Sequence, residues 1–252
     1  MADKDFSFGF IVPRGGLSPF RDYLWKNTLL SLKQQSYNNW VAVVVSSHPE
    51  EKDIIDGNIR YIYKEQSKVS RADDVYPRIA MGRDFLKSQF NPDFVGRLDD
   101  DDLINPNSLR SINEFLKGND KIEIISAIKY PTYNIITGER MYLKSHWLPG
   151  IAFFKADKYF DIHTKEHSRN FHKLIEPTIK SMGMLFGYNY CDISDLFCHI
   201  IYRNRITSKL LPGKLGDTNF EIDHDIAKLP DFEHLLGYYK NYKEFLDENS
   251  LA

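Results

Sequence analysis

The 252-residue chain has only two cysteines, Cys191 and Cys198, so no disulfide framework supports it, and their spacing is neither a CxxC nor a zinc-type pair. A reducing compartment is the expectation. Long hydrophobic runs are also missing. The N-terminus offers one short apolar stretch ending at Val12, too short for a signal-peptide core, and no segment approaches the ~20 apolar residues of a membrane span. A cytoplasmic protein with no transmembrane segment is expected. Nor is there an excess of either charge: 33 basic against 35 acidic residues give a net charge of -2. No global field then drives the chain onto nucleic acid or anionic lipid, and a charged partner must be met locally. Low-complexity tracts and internal repeats are absent. What is present, 42% apolar residues with 15 Tyr and 17 Phe, is the composition of an ordered globular protein with a sizeable core.

Phe6 to Val12 reads as a buried strand stopped by Pro13 and Gly15-Gly16. Ser18-Pro19 opens a helix whose apolar residues Phe20, Leu24, Leu29 and Leu32 recur at helical spacing through Gln35, and Trp40 to Val45 follows as a strand apolar on both faces. The alternation continues with a strand at Ile59 to Tyr63, a helix from about Tyr76 to Gln89, a strand at Phe94 to Leu98 and a helix carrying Leu109, Ile112, Phe115 and Leu116. Ile122 to Tyr130 returns as a longer strand. This is an α/β doubly wound pattern. Further on, Met141 to Phe154 reads as extended, Phe171 to Ser181 as helical, Ile193 to Ile201 as a helical stripe, and Phe232 to Leu246 as a final amphipathic helix.

The phrase Arg97-Leu98-Asp99-Asp100-Asp101-Asp102-Leu103 sits where the fourth strand runs out. Ligands of open α/β sheets bind at the carboxyl ends of strands. Adjacent carboxylates repel, and they stay ionised together most easily around a cation; oxygen-only ligation suits Mg²⁺ or Mn²⁺. The alternative is a solvated acidic loop capping the next helix.

The ordered set Phe8 to Pro13, LWKNTLLSLKQQSYNNW, VAVVVSS and GRLDDDDLINPNSL resembles the N-terminal half of family 2-type glycosyltransferases of the GT-A fold, over about residues 6–110. Within that family the acidic phrase is most similar to that of rhamnosyltransferases. The resemblance implies a GT-A domain over 1–215, a Rossmann-like, mostly parallel mixed sheet with helices on both faces. Its nucleotide-sugar half spans about 1–110 and its acceptor half about 111–215, with a C-terminal helical extension at 216–252. It also implies a nucleoside-diphosphate sugar donor, UDP or dTDP, touched by Pro13, Arg14, Ser46, Arg78, Asp99 and Asp100. Mn²⁺ or Mg²⁺ would be held by Asp99, Asp101 and Asp102, with His199 as a late ligand. Ser46-Ser47 stands where the family has the Asp residues that contact uracil and ribose.

An inverting transferase needs a general base within reach of the acceptor hydroxyl of a glycan or glycolipid. Glu166 is the first choice, with His167 and His172 as alternatives and Asp157 and Asp161 behind them; Trp147 is a candidate stacking platform for the acceptor. The C-terminal helix packs on the domain or on a second copy in a homodimer. Two other readings stay open: a non-catalytic nucleotide-sugar-binding module, and a metal-dependent phosphoryl-transfer enzyme, although Asp99 lacks the Asp-Gly-Thr continuation of one such class.

Overall fold

The computed structural model describes residues 4–16, 18–67, 71–119, 121–126, 129–134, 140–144, 152–157, 190–192, 197–201 and 221–223. Strand β1 (Phe8–Arg14) lies between β2 (Trp40–Ser46) and β5 (Phe94–Arg97) and runs parallel to both, with Phe8 opposite Trp40 on one side and Phe94 on the other. β2 pairs in parallel with β4 (Ile59–Tyr63), whose outer edge carries the short antiparallel strand β3 (Ile55–Asp56). The order β4-β2-β1-β5 therefore winds outward from β1 and then restarts on its other side. The crevice at such a reversal, at the carboxyl ends of the strands, is where open α/β sheets take their ligands.

Helix α1 (Pro19–Lys33) starts where it does because Ser18, extended at φ -146° and ψ 147°, accepts a hydrogen bond from the Arg21 N–H, while Pro19 occupies a first-turn position that needs no donor. Alternation along β1 feeds two cores. Phe8, Phe10 and Val12 join Trp25 and Leu32 of α1 and Leu109, Ile112 and Leu116 of α3 (Ser108–Lys117). On the other face Ile11 joins Val43, Val45 and Leu86 of α2 (Arg71–Gln89). With helices on both faces, β2 is buried almost end to end, the burial its unbroken apolar run anticipates. α2 approaches most closely at Gly82, where a Cβ would lie 2.7 Å from Ile11 Cγ2 and 3.1 Å from Val45 Cγ2.

Beyond β5 the same sheet continues with β10 (Ala152–Lys155), antiparallel to β5, then β7 (Ile124–Ser126) and β11 (Tyr190–Asp192). β10 and β11 thus flank β7. Phe153 of β10 meets Phe8 and Phe10 edge-on at 5.6 and 5.2 Å between ring centroids. A second sheet runs in the order β13 (Glu221–Asp223), β9 (Arg140–Lys144), β8 (Lys129–Asn134), β12 (Phe197–Ile201) and β6 (Leu103–Ile104).

The doubly wound core matches the sequence reading, and three local expectations are corrected. The described part of the Ile193 to Ile201 stripe is not a helix: Phe197–Ile201 forms β12, antiparallel to β6 and parallel to β8. Four apolar residues in a run of five fit either period, and β-branched Ile200 and Ile201 favour the pleated surface. Cys191 and Cys198 consequently stand on strands of different sheets. The single strand expected over Ile122 to Tyr130 is divided between β7 and β8, one in each sheet. α2 begins at Arg71 instead of near Tyr76, and Pro77 lies inside the helix at the cost of one intrahelical bond. The helices expected at Phe171 to Ser181 and Phe232 to Leu246, and the boundary at 215/216, lie outside the described residues. Among the described residues no helix is long and apolar enough to cross a membrane.

Candidate functional site

The carboxyl ends of β1, β2 and β5 bring Pro13, Arg14, Ser46 and the acidic loop to one rim of the sheet. Pro13 is tolerated within β1 for a simple reason. β5 stops pairing at Ile11, so the side of β1 on which Pro13 lacks its N–H has no partner strand left to satisfy. Arg14, opposite Ser46 in the ladder, is 5% exposed. Its guanidinium bonds Asp22 at 2.9 Å and Glu51 at 2.8 Å and lies 5.2 Å above the Trp25 ring. The Ser46 hydroxyl donates to the other Glu51 oxygen at 2.5 Å and accepts the His48 N–H at 3.0 Å. His48 faces Glu50 at 3.0 Å and Asp22 at 3.4 Å. Hydrogen bonds from its own backbone N–H and from His48 hold the exposed Glu50 carboxyl below the ordinary value. Arg14, assigned to the donor by resemblance, is committed here to bracing α1 and the turn after β2.

The acidic loop closes on itself, the Asp102 N–H donating to the Asp99 carbonyl at 3.1 Å. Asp100, Asp101 and Asp102 are 3, 9 and 4% exposed, so the alternative of a solvated loop does not hold for them. Each of three carboxylates faces an arginine. Asp99 bonds Arg97 through Nε at 2.6 Å and Nη2 at 2.5 Å, Asp101 bonds Arg21 at 2.8 Å, and Asp100 bonds the second Arg21 nitrogen. Among the described residues no three acidic, His or Cys side chains converge on a point that could hold a metal ion. Beyond the loop α1 acts as a splint: Ser31 Oγ accepts the Ile104 N–H at 3.3 Å, and Gln35 donates to the Asn105 carbonyl at 2.8 Å and accepts from the Leu109 N–H at 3.3 Å.

Arg78 has no exposed surface. Its Nε and Nη2 bond Asp74 at 2.9 and 3.0 Å, and its remaining donors reach the Val45 and Glu65 carbonyls at 3.3 Å each. The donor contact assigned to it is therefore corrected: with every donor group turned inward, Arg78 ties α2 to the end of β2. Burial pushes the Asp74 carboxyl up, but hydrogen bonds from Arg78 and the Ser67 N–H outweigh it and hold the group below the ordinary carboxylate value.

Asp157 lies at the opposite rim. β10 runs antiparallel to β5, and the Ala156 N–H donates to the Asp93 carbonyl at the amino end of β5, across the sheet from the acidic loop. That removes Asp157 from the base candidates. β12 pairs Cys198 with Leu103, so the next register position places the His199 backbone opposite Asp102. Glu166, His167 and His172, with Trp147 and Asp161, lie outside the described residues.

Arg21, Glu51, Asp22 and Trp25 were not singled out from the sequence. A signal existed for Arg21: a cation in the first turn of a helix opposes the macrodipole and calls for an anionic neighbour.

No protein-family model matches the chain, and no curated protein matches it. Among solved structures it is similar to Staphylococcus aureus TarS 1-349, at 15% identity and a TM-score of 0.50, covering 77% of this chain and 60% of that one. The same fragment in complex with UDP-GlcNAc matches at 15% identity and a TM-score of 0.50, covering 78% and 59%. The chain thus spans about 60% of the length of that fragment. At this identity the likeness speaks for architecture alone: the chain has the GT-A fold.

Proposed function

We propose that the protein is a nucleotide-sugar glycosyltransferase that binds a nucleoside-diphosphate sugar, UDP- or dTDP-linked, along the carboxyl ends of β1, β2 and β5. It passes the sugar, with inversion, to a hydroxyl of a glycan or glycolipid. The observation that carries the reading is the run Asp99 to Asp102, buried from Asp100 onward, at the reversal point of the sheet. Carboxylates are seldom buried without a task, and this is the rim at which α/β folds hold ligands. The shared fold with a fragment crystallised with UDP-GlcNAc supports the same class of donor.

The carboxylate donors are all oxygen, which fits a hard cation such as Mn²⁺ or Mg²⁺. Asp99, Asp101 and Asp102 would hold it once Arg97 and Arg21 release them, with the His199 imidazole as a further, nitrogen ligand. When bound, the ion would stabilise the charge developing on the departing diphosphate. The chain's own residues do the rest: Arg14 and Ser46 fix Glu51 and the turn bordering the nucleotide side, α1 fixes the loop, and Glu166 takes the acceptor proton, with His167 or His172 as the alternative base.

A thermal-shift screen of UDP-, dTDP- and GDP-sugars with and without Mn²⁺ tests the donor. A ligand at about 100 times its Kd adds ~2.7 kcal/mol, or roughly 5–10 °C for a chain of this length. Asp101→Asn should abolish the Mn²⁺-dependent part of the shift. If no sugar nucleotide raises the melting temperature, the proposed function is wrong.

A further inference from the structure

Arg21 sits where a cation costs most, at the third position of α1, after Ser18 and Pro19, at the positive end of the helix dipole. Two anions compensate it, and both are buried: the Asp100 and Asp101 side chains are 4 and 12% exposed, and Arg21 itself is 16% exposed. Each nitrogen of the fork takes a separate carboxylate, so one guanidinium spans two adjacent aspartates as a bridging ion would. The loop before α1 makes room for it. Gly16, at φ +93°, would place a Cβ 3.3 Å from Arg21 Cγ, so a side chain there would press on the arginine stem. The other charges packed around this corner are already committed, Arg97 to Asp99 and Asp22 to Arg14.

We propose that Arg21 is the resident cation of the acidic loop. In the donor-free protein its guanidinium holds Asp100 and Asp101, and a divalent ion must displace it from Asp101 in order to bind. The inference rests on the metal-binding reading of the loop and adds a device to it: metal affinity is low until the arginine has somewhere else to go. The arriving diphosphate offers that place, an anion at the amino end of α1. Arg21 is in this sense a positioning residue, and metal and donor binding become mutually reinforcing through it.

The test uses the full chain and Arg21→Gln, with thermal unfolding in EDTA and in Mn²⁺ and Mn²⁺ affinity by electron paramagnetic resonance, all without nucleotide. Native protein should melt at the same temperature in both buffers. Arg21→Gln should melt about 2–4 °C lower in EDTA, the scale of an ion pair worth ~1 kcal/mol in a domain this long, and should recover in Mn²⁺. It should also bind Mn²⁺ about tenfold more tightly, the factor carried by ~1.4 kcal/mol of removed competition, while Arg21→Lys, which keeps the charge but not the fork, falls between native and Arg21→Gln. Equal melting of native and Arg21→Gln in EDTA, failure of Mn²⁺ to restore the variant, or unchanged Mn²⁺ affinity would each overturn the proposal. If Arg21→Gln does not fold in EDTA, Mn²⁺ or the added change Asp101→Asn should restore it by relieving the same repulsion, and failure of both also overturns it. Binding of UDP-GlcNAc to native protein, measured alongside, separates the readings. Donor binding with a metal-insensitive Arg21→Gln defeats the arginine device alone, whereas metal rescue without donor binding defeats the donor assignment alone.

Discussion

Replacing Arg78 by leucine should be among the most damaging single changes in the nucleotide half. The side chain has no exposed surface, and its partner Asp74 is only 8% exposed, so truncation leaves a carboxylate with little access to water. Breaking a buried pair from one side costs ~3–5 kcal/mol, more than the pair is worth as a pair, because the abandoned charge keeps its desolvation penalty. At roughly 2–4 °C per kcal/mol for a chain of this length, the melting temperature should fall by about 6–20 °C. Urea unfolding followed by circular dichroism gives the free energy, and a cycle with Asp74→Asn isolates the pairwise part; Asp74→Asn/Arg78→Leu should be less destabilised than the two single losses summed. The pH dependence has a definite sign. The Asp74 carboxyl is held below its ordinary value in the folded state, so it contributes stability that is present above that value and lost as pH falls through the folded one. The gap between native protein and Arg78→Leu should therefore be widest near neutrality and close below about pH 4. A loss under ~1 kcal/mol at pH 7 with no coupling to Asp74 would refute the bracing role. So would an Arg78→Leu protein of native stability that no longer binds the donor.

Gly82→Ala should destabilise by ~1–3 kcal/mol in a thermal melt, because the new methyl meets Ile11 Cγ2 at 2.7 Å where α2 lies on β1. Arg14→Lys should cost ~1–2 kcal/mol in the same assay, since an ammonium cannot grip Asp22 and Glu51 together while stacking on Trp25. Full stability in either variant would contradict the packing described. Glu166→Gln should keep donor binding and lower transfer by ~10² to 10⁴, and normal turnover would move the base to His167 or His172. NMR of the product anomer should show inversion; retained configuration would rule out a single displacement.

The winding of the first half was legible because its strands and helices announce themselves over long windows, as in the β-branched run of β2 and the Ser18-Pro19 start of α1. The acidic loop was legible for a different reason, since consecutive aspartates after a buried strand are conspicuous in one dimension. Its partners were not. Arg21 is far from Asp101 along the chain, and its place in the first turn of α1 calls for an anion without saying which, whereas Arg97 bonds Asp99 two residues away. Arg14 and Arg78 show the converse difficulty: resemblance aligned them with a ligand-facing rim, but whether an arginine points outward depends on carboxylates such as Glu51 and Asp74, and no spacing rule pairs Arg14 with Glu51. β12 was misread because four apolar residues in a run of five carry too little phase to separate the two periods, and its partners β6 and β8 are both remote in sequence.

The placement of β10 and β11 on either side of β7 bears on how this architecture diversifies. Lys155, the last residue of β10, and Tyr190, the first of β11, stand two strand spacings apart, about 10 Å. A stretch whose ends are pinned so close together is, for polymer statistics, a closed loop, and doubling its length adds only ~0.6 kcal/mol of closure entropy. Evolution or an engineer can then exchange the residues between those strands, Glu166 among them, for a longer or shorter segment while the parallel core and the arginine-bound acidic rim keep their places.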